Sequence, residues 1–261
     1  CVDVNLEMAS DRKARRCLPA LFPQAPAQPV LEDREPLDED IERFLKELRR
    51  SFQFAPSHRA AGPGSGRNEH WSWMPLYEEA WEHIEQVLLR LALAKLPLPA
   101  MSAIMSAKVL AADRDEPDKV RPLALGVIHR RLVSKAVGRV FQARVAAAVG
   151  PREHYIGAKS GAELMHKSVL VELDRRDDGV KLSFDASNAH NEYDRTVAAE
   201  CVREDVPDML PWVRAPLSIE AVHEHVGMDG IRTEFRKTRG GDQGRLFTFQ
   251  DDMEGVCKAN T

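Results

Sequence analysis

The run Leu182-Ser183-Phe184-Asp185-Ala186-Ser187-Asn188-Ala189-His190-Asn191 constrains this chain more than any other stretch of it. Val180 to Phe184 reads as a short buried strand, entered through the turn Asp177-Asp178-Gly179. The strand delivers one carboxylate, Asp185, at its end. A strand end is rigid, so that group is placed accurately. The residues behind it are small or polar, so a ligand can come close to the backbone. The competing reading is an ordinary strand-to-turn junction with an Asp in the turn.

Around this run the pattern is mixed. Ile41, Phe44, Leu45 and Leu48 recur at helical spacing within Asp38 to Phe54, with charges opposite. Further helices are expected over Pro75 to Lys95, Ile128 to Val149, Ala162 to Arg176 and Pro211 to His225. Another begins at Asp194, a candidate N-cap, and runs to Val202. Ser102 to Ala112 and Val120 to Leu125 read as extended segments joined by a polar turn, which suggests a hairpin. Ile231 to Phe235 reads as another strand. The expected fold is α+β, with helices packed on a small antiparallel sheet. Residues 1–36, broken by Pro23, Pro26, Pro29 and Pro36, are expected to be a poorly ordered lead-in. Residues 37–250 then form the domain, and 251–261 a tail.

A chain of 261 residues, 43% of them hydrophobic, can bury a sizeable core as one large domain or two small ones. The net charge of −4 gives no general attraction to nucleic acid. Local charge is more telling. From Lys119 to Arg144 there are seven Lys or Arg and no Asp or Glu, a block able to neutralise phosphates. The bland alternative is a solvated helix face. The four cysteines form no CxxC pair, and none of the nine histidines has a partner at metal-ligand spacing, which argues against a zinc module. No apolar run is long enough to span a bilayer, and the charged N-terminal stretch is unlike a signal peptide. The expectation is an intracellular protein, nuclear or cytoplasmic, with no membrane partner. A first residue of Cys reads as a fragment.

Three further blocks flank the Asp185 run in order. They are Ala60-Ala61-Gly62-Pro63-Gly64-Ser65-Gly66-Arg67-Asn68-Glu69-His70, Lys119-Val120-Arg121-Pro122-Leu123-Ala124-Leu125-Gly126, and Arg239-Gly240-Gly241-Asp242-Gln243-Gly244. Together the four resemble the reverse transcriptase domain of non-LTR retrotransposons, over roughly Ser51 to Phe249. The resemblance implies a partial right-hand polymerase, the fingers and part of the palm. It implies template-directed nucleotidyl transfer, with an RNA template, a DNA primer, deoxynucleotide triphosphates and two magnesium ions. Asp185 and the Ala186 carbonyl would be metal ligands, Asp185 the catalytic carboxylate. Arg114 and Arg121 would clamp the triphosphate with guanidinium forks. The Asn188 backbone would face the triphosphate, and His190 would screen the sugar 2′-hydroxyl. Gln243 and Gly244 would meet the nucleotide. Arg130, Arg131 and Lys135 would face template phosphates.

The chain departs from the family at three places. His190 stands where the family has an aromatic residue. Arg245-Leu246 replaces the Asp-Pro that follows Gln-Gly. Phe249-Gln250-Asp251-Asp252 has the letters of the later metal-binding hairpin but follows Gln243-Gly244 too closely to hold that place. The chain as it stands is therefore expected to be inactive. The alternatives are a catalytically inactive remnant that at most binds nucleic acid, and a helical interaction protein whose motifs are coincidental.

Overall fold

The structure is a computed structural model that describes residues 7–25, 27–57, 60–64, 66–114, 116–150, 160–176, 178–181 and 188–241. Within the stretch expected to be a poorly ordered lead-in, Asp11–Cys17 form helix α1, followed by a 3₁₀ turn at Pro19–Leu21. The Ser10 hydroxyl accepts from the Lys13 amide and caps α1. Helix α2 (Asp38–Gln53) opens on Asp38, Glu39 and Asp40, carboxylates that favour the positive end of a helix dipole. Its Phe44, Leu48 and Phe52 form the apolar stripe that is buried. Helix α3 (Glu78–Ala92) buries Trp81, Leu88 and Leu91.

Helix α4 (Leu98–Met105) occupies the first part of the stretch expected to be extended, Ser102 to Ala112. That is a correction. Pro99 lies in the first turn of α4, where a missing amide costs nothing, and Met101 and Met105 are buried one turn apart. Strands β1 (Ala107–Asp113) and β2 (Val120–Gly126) form the expected hairpin. Helix α5 (Ile128–Val149) has the predicted bounds and ends at Gly150, whose φ of 80° suits glycine. Helix α6 (Gly161–Asp174) and the short helix α7 (Ala189–Glu192) follow. Helix α8 (Arg195–Asp205) starts at Asp194, whose carboxylate accepts from the Thr196 amide at 2.7 Å.

Helix α9 (Leu210–Ser218) stops short of the expected His225. Residues Ala221–Val226 alternate buried and half-buried, a period of two, and form strand β3 instead. Strand β4 (Arg232–Lys237) pairs with it antiparallel. Val180 and Lys181 are not in a strand; the rest of the predicted strand to Phe184 lies outside the described residues.

The sheet has the order β2-β1-β3-β4. It is mixed rather than antiparallel as expected, because β1 and β3 run parallel. The fold class is α+β. Helices α2 and α5 pack antiparallel, joined by Arg144 to the buried Asp40 and by Arg139 to Glu47 at 3.2 Å. Phe44, Phe52, Trp81, Phe141 and Trp212 lie at the centre of this helical core. A smaller apolar cluster sits on one face of the sheet, where Ala14, Leu18 and Phe22 cover Val109, Ala111, Val120 and Phe235. Full burial of a side chain the size of Leu18 or Phe22 contributes about 1.5–3 kcal/mol. The strand register puts Lys108, Arg121, Glu224, Glu234 and Arg236 on the opposite face.

Candidate functional site

The four blocks singled out in the sequence meet as two pairs. The first pair is the glycine-rich loop and the end of β2. A Cβ on Gly62 would collide with the Gly126 carbonyl, and a Cβ on Gly126 would collide with the Arg130 guanidinium. At Gly62, where the clash is with backbone, only glycine permits that approach. The second pair is the Asn188–Tyr193 turn and Gly240-Gly241. The Gly240 amide donates to the Tyr193 carbonyl at 3.0 Å, and the Gly241 amide to the His190 carbonyl at 2.6 Å. Gly240 has a φ of 59°, and a Cβ there would strike the His190 carbonyl.

A chain of hydrogen bonds fastens this turn to the foot of β4. Asn188 adopts the left-handed conformation, φ 55°, which Asn tolerates. Its side-chain amide donates to the Glu192 carboxylate at 3.0 Å and to the Leu21 carbonyl at 3.3 Å. Asn191 donates to the Asn188 side-chain oxygen at 2.9 Å and accepts from the Lys237 ammonium at 3.2 Å. Lys237 also donates to the Gly241 carbonyl at 2.5 Å. Beside it, buried Arg195 donates to the carbonyls of Gly240 at 3.1 Å and Ile219 at 3.1 Å, and to the Gln28 side chain at 2.9 Å. A small pocket opens here, lined by Met105, Arg195, His223, Lys237 and Gly240-Gly241. Sequence reasoning missed Asn191, Arg195 and Lys237. The available signal was the register of β4, which turns Thr233, Phe235 and Lys237 to the same face.

Arg114 and Arg121 lie elsewhere. Arg114 follows β1 at the hairpin tip, where its carbonyl accepts from Lys13 at 2.8 Å. Arg121 pairs with Ala112 in the hairpin register and is exposed on the sheet face away from α1. Strand β1 is seven residues long, roughly 20 Å at the usual strand rise, and its foot rather than its tip lies beside His223. Arg114 and the Asn188 turn therefore stand at opposite ends of the sheet.

Arg130, Arg131 and Lys135 of α5 do not share one surface. Arg130 is buried, and its guanidinium donates to the Met105 carbonyl and, at 3.3 Å, to that of Ser106. It closes the end of α4, where carbonyls lack intrahelical partners. The expectation that Arg130 faces template phosphate is corrected: its charge is spent inside the fold. Arg131 and Lys135 are half-buried. Burial first, and then the nearby charges of Arg139 and Arg50, hold the Lys135 ammonium below its ordinary pKa. Three cations thus converge where α2 meets α5, with Glu47 as counter-charge to Arg139 and to Arg50 at 3.7 Å.

Asp185, Ala186, Gln243 and Gly244 lie outside the described residues, as does Phe249-Gln250-Asp251-Asp252. Among the described residues no cluster of three or more His, Cys, Asp or Glu is placed to hold a metal ion, and no helix is long and apolar enough to cross a membrane. No family model matches the chain, and no curated protein matches it.

Proposed function

We propose that this chain carries the fingers and part of the palm of a reverse transcriptase of the non-LTR retrotransposon type. The reaction class is template-directed transfer of deoxynucleotides to a DNA primer on an RNA template. The observation that carries the reading is the double backbone link between the Asn188–Tyr193 turn and Gly240-Gly241. A nucleotide site built from the Asp185 and Gln243 motifs requires these two distant segments to be neighbours. In this reading Asp185 and the Ala186 carbonyl hold magnesium, and Gln243 and Gly244 meet the nucleotide. Arg131 and Lys135 serve the template phosphates, whereas Arg114 and Arg121, towards the hairpin tip and away from the Asn188 turn, lie too far from it to clamp the triphosphate there. Magnesium, when bound, supplies charge neutralisation and activation of the primer hydroxyl.

A second reading is a catalytically inactive remnant that at most binds nucleic acid. His190, in the place of the family's aromatic residue, favours it.

The test is a primer-extension assay with an RNA template, magnesium and deoxynucleotides, run beside a binding measurement on the same primer–template. Extension that Asp185→Ala abolishes supports the polymerase and overturns the expectation that the chain as it stands is inactive. Binding without extension supports the remnant. Absence of both leaves the four motifs a coincidence and ends the proposal.

A further inference from the structure

The two hairpins of the sheet share few backbone rungs. Strands β1 and β2 share seven register pairs and β3 and β4 share six, whereas β1 and β3 share only two, Ala107 with His223 and Lys108 with Glu224. Beyond that point the inner strands part. The His225 ring bonds to the Val109 carbonyl at 2.9 Å, a side chain standing where a backbone rung would be. Further out, the N-terminal segment fills the gap. The Ala9 amide donates to the Ala111 carbonyl at 2.8 Å, and the Asp113 amide to the Glu7 carbonyl at 2.7 Å.

Helix α1 then spans the two hairpin tips. One set of its side chains grips the β1–β2 tip. Lys13 pairs with Asp113 and with the Arg114 carbonyl, while Arg16 pairs with Asp118 at 2.5 Å and with the Pro117 carbonyl at 2.8 Å. Another set grips the β3–β4 tip. The Asp11 carboxylate accepts from the amides of Met228 at 3.0 Å and Asp229 at 3.2 Å, and Arg15 pairs with Asp229. The apolar contact beneath is smaller than the helical core: Ala14, Leu18 and Phe22, the last stacked on Phe235, on a face that also carries His223, His225 and Lys237.

We infer that residues 7–22 are a buckle over a hinged sheet. The hinge is the two-rung junction at Ala107–Lys108 and His223–Glu224. The buckle is α1 with the bridge at Met8, held by ion pairs at both tips. Fastened, it locks the two hairpins at one angle and covers the inner face of the sheet. Released, it lets the hairpins swing about the junction while the helical core stays folded. The inference needs no assigned activity, so it survives or fails independently of the polymerase reading.

Two measurements on the full chain test it. Hydrogen exchange is followed by mass spectrometry in the wild type, in Lys13→Glu, in Arg15→Glu, and in the charge swap Lys13→Glu with Asp113→Lys. The expected result is exchange at least about tenfold faster over residues 7–17, 107–114 and 226–232 in the single variants, with α2 and α5 unchanged. The swap restores protection. Exchange that stays at the wild-type rate, or that rises over the whole molecule, overturns the inference. In the second measurement, spin labels on keto-bearing residues at positions 116 and 228 report the distance between the tips. A distribution that broadens in the single variants and narrows in the swap supports the hinge. A distribution that stays narrow after release overturns it.

Discussion

Arg130 and Lys135 look alike in sequence and do different work. Both lie in the basic block that follows the Arg121-Pro122 motif. Five residues apart on a helix they point in different directions, about 140° around the axis. Arg130 is buried against the carbonyls that end α4, and Lys135 looks out between Arg50 and Arg139. Arg130→Ala is expected to lower unfolding free energy by about 1.5–3 kcal/mol, because it leaves buried carbonyls without a donor. Lys135→Ala is expected to stay within about 0.5 kcal/mol. Urea titration of the two variants checks both. This difference was not legible in the sequence, since composition marks a cation but not its depth. Gly62 lies against the backbone of Gly126, which leaves no room for a Cβ on Gly62. Asp194 was read as a helix cap, and its carboxylate does cap α8.

At the scale of elements, periodicity found α2 because it has one buried face and one exposed face, and α5 by its length and apolar spacing although residues 128–141 have no exposed position. It failed where both faces are apolar. Met101 to Ala112 carries few polar residues, so neither period of two nor 3.6 stands out, and helix α4 was taken for strand. It failed again at Ala221, where α9 and β3 are separated by only two residues. Helix α1 was hidden by the prolines around it, and its hold on the sheet depends on partners about a hundred and two hundred positions away. That hold has a pH signature. Hydrogen bonds from Lys13 to Asp113 and from Arg15 to Asp229 hold both carboxyls below the ordinary Asp pKa. A lowered folded-state pKa gives stability that is present above the unfolded value of about 3.9 and lost as pH falls through the folded value. The contacts should therefore persist from neutral pH to about pH 4 and fail only in stronger acid. Carboxyl-carbon NMR titration is expected to give midpoints below about 3.9 for Asp113 and Asp229, returning towards it in Lys13→Ala and Arg15→Ala respectively.

The whole molecule divides its charge unevenly. Net charge is −4, yet Arg50, Lys135 and Arg139 gather where α2 meets α5. If that seam takes nucleic-acid phosphate, Lys135→Ala should weaken binding of a primer–template and reduce the slope of log K against log salt by about 1. Fluorescence anisotropy across a salt series checks it. An unchanged slope would move the contact to another surface. Burial also divides unevenly. The helical core holds the fully buried tryptophans, while the sheet face under α1 holds Val109, Ala111, Val120 and Phe235 together with His223, His225 and Lys237. The α+β class was legible from the order of predicted elements, and the mixed sheet was not. Parallel pairing of β1 with β3 joins segments more than a hundred residues apart, and no local pattern records it.

A fastening made by one segment of a chain can be made equally well by the same segment of another copy. Residues 7–22 reach the sheet by side-chain contacts and by the backbone hydrogen bonds at Ala9 and Asp113, and Pro23, Pro29 and Pro36 punctuate the segment that leads away from them. Two molecules that exchange these segments remake the same contacts on each other, at the cost of loosening the bonds from Gln24 to the Arg236 carbonyl and from the Ala25 amide to the Thr238 hydroxyl. Concentrated protein is expected to contain a slowly forming, domain-swapped dimer, seen by size exclusion with light scattering. It should dissociate on dilution and be absent from a chain that begins at residue 32.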